Sequence, residues 1–63
     1  MSLTDRIIEY EQGGLGALEI EALFQELVDT GLAWQLQGTY ERTAMRLLEA
    51  GVIHPPIDYA NEF

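Results

Sequence analysis

The chain contains no cysteine and no lysine, and its only histidine is His54. Without cysteine there is neither a disulfide framework nor a thiolate zinc site, the staples on which many small folds depend. A single histidine with no spaced carboxylate partner makes neither a metal site nor a general base, so His54 is expected to be structural or solvent-facing. No alternating β-branched segment lies between hairpin turns, so no strand pair is expected. The apolar runs are too short to span a bilayer, and no basic segment followed by an apolar stretch marks a signal peptide. Nor does the sequence show a nucleophile beside a base or a phosphate loop. A soluble intracellular protein that is not an enzyme and carries no cofactor is the expectation.

What the chain has instead is apolar content and negative charge. Its 63 residues are 48% hydrophobic, too many for a disordered acidic tail. At this length a chain forms one domain at most, and its core is marginal unless helices pack tightly or a partner completes it. Eleven Asp and Glu stand against three Arg, giving a net charge of −8. That balance repels phosphate backbones and anionic lipid surfaces, and it favours encounters with basic partners. Nucleic acid and membranes are therefore disfavoured as partners.

The apolar pattern predicts a small all-α domain of three helices over residues 1–54, followed by an extended tail over 55–63. The first helix starts at Ser2, a capping hydroxyl, and ends at Gly13-Gly14, with Leu3, Ile7 and Ile8 on one face and Tyr10 or Glu11 completing the turn. In the second, Ile20, Leu23, Phe24, Leu27 and Val28 recur at the i, i+3, i+4, i+7, i+8 spacing of a core-facing helix, and Gly31 is its stop. Residues 32–36 predict a further short turn or a packed connector. The third helix is expected to be capped by Thr39 and to run to Glu49 or Ala50, with a stripe of Tyr40, Ala44, Leu47 and Leu48. Gly51 then supplies its terminal turn, with Val52 touching the last turn in a Schellman closure. Pro55 and Pro56 forbid further helix and make His54 extended.

The polar and aromatic residues around the second connection form the candidate site. Trp34, Gln35, Gln37 and Tyr40 combine residue types enriched at binding hot spots with amides that both donate and accept. A Trp that closes the gap between two helices would be equally ordinary in so small a domain. The expectation is a mostly buried Trp34, with Gln35, Tyr40 and Arg42 as its accessible edge. Arg42 and Arg46, four residues apart on the third helix, can hold a carboxylate or phosphate, or can neutralise nearby acids such as Glu41 and Glu49. The acid pairs Glu9/Glu11 and Glu19/Glu21 are two residues apart, so they diverge around a helix and make no ligand pair. Self-association is expected through the first helix or through Ile57, Tyr59 and Phe63 of the tail.

Two resemblances bear on function. The stretch from Thr39 to Ile53 looks like the recognition helix of a winged helix-turn-helix, and the turn at Gly31 extends the likeness. It implies a nucleic-acid-binding regulator using residues 31–53, although Pro55-Pro56 occupies the place of the wing and the charge opposes DNA. A second resemblance covers about residues 3–53. It is carried by Leu-Thr-Asp-Arg-Ile-Ile-Glu-Tyr-Glu at 3–11, Leu-Phe-Gln-Glu-Leu-Val-Asp-Thr-Gly-Leu-Ala-Trp-Gln-Leu-Gln-Gly at 23–38, and Tyr-x-Arg-Thr-Ala at 40–44. These runs are similar to a group of short tailed-bacteriophage proteins with no assigned activity. The chain departs from that group at 13–17, where such proteins carry acidic residues and a capping hydroxyl. The likeness implies action in a bacterial host cytoplasm, by binding a host defence or regulatory protein, or as a virion-associated component.

Overall fold

A computed structural model describes residues 2–56, which form three α-helices and one 3₁₀ turn. Helix α1 spans Leu3–Glu11, α2 spans Ala17–Thr30, the 3₁₀ turn spans Leu32–Trp34, and α3 spans Gly38–Glu49. The all-α class expected from the periodicity is the one observed.

Each helix end has an identifiable cause. Ser2 caps α1, its Oγ accepting the Asp5 N–H at 3.1 Å. At the other end of α1, Gly13 donates to the Tyr10 carbonyl and Gly14 to the Glu9 carbonyl, the two bonds of a Schellman closure. Helix α2 starts without a capping hydroxyl: Glu19 reaches back and accepts the Gly16 N–H at 2.9 Å. That contact replaces the hydroxyl cap missing from 13–17, and it puts a carboxylate at the positive end of the helix dipole. Gly31 ends α2 at φ +81°, and the chain passes directly into the 3₁₀ turn.

Helix α3 departs from expectation at its start. Its N-cap is Gln37, with no side-chain capping bond, and Thr39 lies inside the first turn. The turn closes through the Tyr40 N–H to the Gln37 carbonyl, so the first helical bond forms before Thr39 could act as a cap. At its end the expected closure is present. Gly51, at φ +75°, donates to Leu48, and Val52 donates to Leu47. The apolar residue this turn buries is Ile53, whereas Val52 is exposed. Residues beyond Gly51 then return to α2. The Gln25 side-chain amide donates to the His54 carbonyl at 2.9 Å and accepts the His54 N–H at 3.0 Å, as a neighbouring strand would.

The core is Leu23, Phe24, Leu27, Val28, Ala33, Tyr40, Ala44 and Ile53, with Leu3, Ile7, Tyr10, Ile20, Leu36, Leu47 and Leu48 among the partly buried residues packed on it. Burying each large apolar side chain contributes about 1.5–3 kcal/mol, so α2, which carries four of the core residues, is the organising element. An aromatic triad ties all three helices together. Tyr10 meets Phe24 edge-on with centroids 5.3 Å apart, and Phe24 stacks on Tyr40 at 6.0 Å. Ile8, assigned to the inner face of α1 by spacing, is exposed. The packed stripe is Leu3, Ile7 and Tyr10, at i, i+4 and i+7, and Ile8, one position round the helix from Ile7, falls on its outer flank. Arg6 pairs with Glu26 across α1 and α2, a partly exposed contact of modest value.

Candidate partner-binding site

The connection between α2 and α3 occupies residues 31–37 and positions most of the candidate residues. Its 3₁₀ turn advances three residues per turn, so it breaks the phase of α2 and turns Ala33, rather than its neighbour, into the core. Ala33 is fully buried while Trp34 retains 44% of its surface. The expected arrangement holds only in part. Trp34 is half-buried at the surface, and Tyr40, expected at the accessible edge, keeps only 6% of its surface exposed. Tyr40 is in phase with Ala44 and Leu47, at i, i+4 and i+7, and that register carries its ring inward. Gln35 and Gln37 are exposed on either side of the partly buried Leu36.

Arg42 lies two residues beyond Tyr40, on the far side of α3, and is exposed together with Arg46. Neither forms an ion pair with Glu41, Glu49 or an α2 acid among the described residues; the cation–carboxylate pair there is Arg6–Glu26. The candidate residues thus divide into two surfaces, Trp34 with Gln35 and Gln37 around the connection, and Arg42 with Arg46 along the outside of α3. His54 is exposed, with Nδ1 3.0 Å from the Pro55 carbonyl. No group of three His, Asp or Glu side chains among the described residues could hold a metal ion. The tail residues Ile57, Tyr59 and Phe63 lie outside the described residues.

Sequence reasoning missed a polar contact deeper in the site. The Tyr40 hydroxyl donates to Glu11 Oε2 at the end of α1, 29 residues away. Burial, the hydrogen bond to Glu11 and the charge of that carboxylate all disfavour the phenolate, so Tyr40 ionises well above the ordinary tyrosine range. Beside this bond lies a shallow cleft of about 140 Å³ lined by Tyr10, Glu11, Gln37, Thr39 and Tyr40. Only Gln37 and Tyr40 of these were candidates from the sequence. Glu11 reads locally as one more surface acid near a helix end, and nothing within α1 signals its partner on α3.

Fold and surface together define a small three-helix domain with a solvent-facing tryptophan and a polar cleft between α1 and α3. The chain matches the domain of unknown function DUF7417 over residues 1–61 and belongs to that family. No curated protein and no solved structure matches it. No helix among the described residues is long and apolar enough to cross a membrane.

Proposed function

We propose that this domain acts by binding another protein, not by catalysis, and that Trp34 is the anchor of the contact. The observation that carries this reading is the 44% exposure of Trp34 on a turn whose preceding residue, Ala33, is locked in the core. A tryptophan on a turn anchored in the core presents a large apolar area with only two side-chain torsions to fix when a partner covers it, which suits an interface anchor. Gln35 and Gln37 flank it as adaptable donors and acceptors. The resemblance to short tailed-bacteriophage proteins supports a bacterial cytoplasm as the setting and a host defence or regulatory protein as the partner. The net charge of −8 and a seven-residue connection, longer than the three or four residues of a DNA-binding helix-turn-helix, weigh against a duplex as the ligand.

Trp34→Ala tests this directly. It should cost about 2–3 kcal/mol, because just over half of the side chain's surface is covered, so far-UV circular dichroism must first show the variant folded. The same variant, tagged and expressed in bacteria, should fail to recover a partner that the wild-type chain recovers. A partner retained by Trp34→Ala would remove Trp34 from the interface, and tight, steeply salt-dependent binding to a DNA duplex would replace the reading altogether. Presence of the chain in purified virus particles would instead favour the virion-associated role.

Self-association belongs to the same proposal, with the exposed Ile8 on α1 as a contact for a second copy. Sedimentation equilibrium at micromolar concentration should then show a species heavier than 7.1 kDa. A purely monomeric profile rules it out.

A further inference from the structure

We infer that the cleft between α1 and the start of α3 is a receptor for a cationic side chain, with arginine as its best ligand. The inference rests on the protein-binding reading for the source of that arginine, and it deepens that reading by naming the chemistry of the partner: a basic segment. Gln37 lines the cleft and is exposed three residues beyond Trp34 in the same connection, which is the link between the two surfaces.

Three features of the cleft select a cation. The first is an uncompensated carboxylate. Glu11 forms no ion pair among the described residues, and its hydrogen bond from Tyr40 engages Oε2, leaving Oε1 without a donor there. That bond also fixes the carboxylate against the core, so the acceptor is held in position before a ligand arrives. The second is aromatic surface, supplied by the half-buried Tyr10, since Tyr40 is 6% exposed and stacks one face on Phe24. The two rings lie with centroids 5.9 Å apart and planes inclined at 57°, and an open tyrosine ring attracts cations. The third is a pair of polar side chains, Gln37 and Thr39, which add neutral acceptors at the rim.

Size and charge narrow the ligand further. A volume of about 140 Å³ admits roughly four or five water molecules, or one planar guanidinium. A guanidinium can lie against a tyrosine ring while its fork of N–H groups meets the carboxylate, and it is less strongly hydrated than an ammonium. An anion would face Glu11, and a divalent metal would find one carboxylate instead of a ligand set. None of the three arginines lines the site. Arg6 is taken by Glu26, and Arg42 and Arg46 lie on the outer side of α3. The net charge of −8 draws a basic segment toward the domain from a distance.

The test is a titration of the isotopically labelled chain with three blocked tripeptides, Gly-Arg-Gly, Gly-Lys-Gly and Gly-citrulline-Gly, followed by amide chemical shifts. The arginine peptide should give saturable shifts centred on Gln37, Thr39 and Tyr40, with a dissociation constant on the order of 1 mM. The lysine peptide should bind more weakly, and the isosteric but neutral citrulline peptide at least about tenfold more weakly. Glu11→Gln keeps an acceptor for the Tyr40 hydroxyl, so it should remain folded, with an unchanged set of shifts elsewhere, while losing about tenfold in affinity for the arginine peptide. Trp34→Ala should bind the peptide as wild type does. A protein partner retained by Trp34→Ala, with peptide binding intact, would count against the Trp34 anchor alone. Equal response to arginine and citrulline, tighter binding of lysine than arginine, shifts spread over the acidic surface, or a Glu11→Gln variant that binds unchanged would each overturn the cleft assignment.

Discussion

Replacing Phe24 with alanine should unfold the domain. The ring is fully buried, it meets Tyr10 edge-on and Tyr40 in a stack, and it sits on α2 between the two helices those tyrosines occupy. Truncating such a residue removes its transfer free energy and leaves a cavity, a combined loss of about 3–5 kcal/mol. A chain of 63 residues has a total stability of about 3–9 kcal/mol by per-residue scaling. The chain has no cysteine for a disulfide, and no group of side chains among the described residues could hold a metal ion. Far-UV circular dichroism during urea titration should therefore show a wild-type transition that is lost in Phe24→Ala, or moved to very low denaturant. Leu18→Ala is the contrast: Leu18 is 78% exposed on the same helix and should change stability by less than about 0.5 kcal/mol. A Phe24→Ala variant within about 1 kcal/mol of wild type would mean that the aromatic triad does not organise the core.

The second large effect is a loss of stability at alkaline pH that depends on Tyr40. Its phenol is buried, donates to Glu11 and ionises well above the ordinary tyrosine range in the folded chain. In the unfolded chain it titrates near 10. The folded pKa is raised, so the contribution is complete below pH 10 and declines as pH rises above it, because the unfolded state releases a proton that the folded state retains. The slope for one such group approaches about 1.4 kcal/mol per pH unit. Tyr40→Phe should be destabilised near neutral pH, since it leaves Glu11 without its donor, typically by about 1 kcal/mol. Above pH 10 the difference between the two proteins should shrink and then reverse. Parallel stability curves from pH 8 to beyond 10 would show that Tyr40 is ionised as easily in the folded chain as in the unfolded one.

The α-helical architecture was legible in the sequence because its signals are local. Ser2, Gly13-Gly14, Gly31 and Gly51 bound the helices through propensities that act within one turn, and the spacing of Leu23, Phe24, Leu27 and Val28 states the inner face of α2 without reference to any other element. The Schellman bonds at Gly51 follow from the same short-range chemistry. Even the start of α2, where a capping hydroxyl is missing, is decided within four residues by Glu19.

The candidate site was legible only in part, and the division follows sequence distance. That the 31–40 segment concentrates aromatic and amide groups could be read directly. The inward register of Tyr40 with Ala44 and Leu47 could also be read, although the residue was expected at the accessible edge. The exposure of Trp34 could not, because it depends on a 3₁₀ turn that breaks the phase of α2 and turns Ala33 into the core. Glu11 became significant only when α1 packed beside α3 and brought its carboxylate to a hydroxyl 29 residues away. Gln25 likewise met His54 across the same separation in the chain. The sequence by itself determined where the helices end, where α1 begins and which face of α2 is apolar, since hydrogen-bond closure and periodicity are short-range; the start of α3, at Gln37 in place of Thr39, was not among these. Only the tertiary structure decided that Trp34 keeps a face in solvent, that the Tyr40 hydroxyl meets Glu11, and that α1 and α3 share a cleft, since these depend on how separate elements meet.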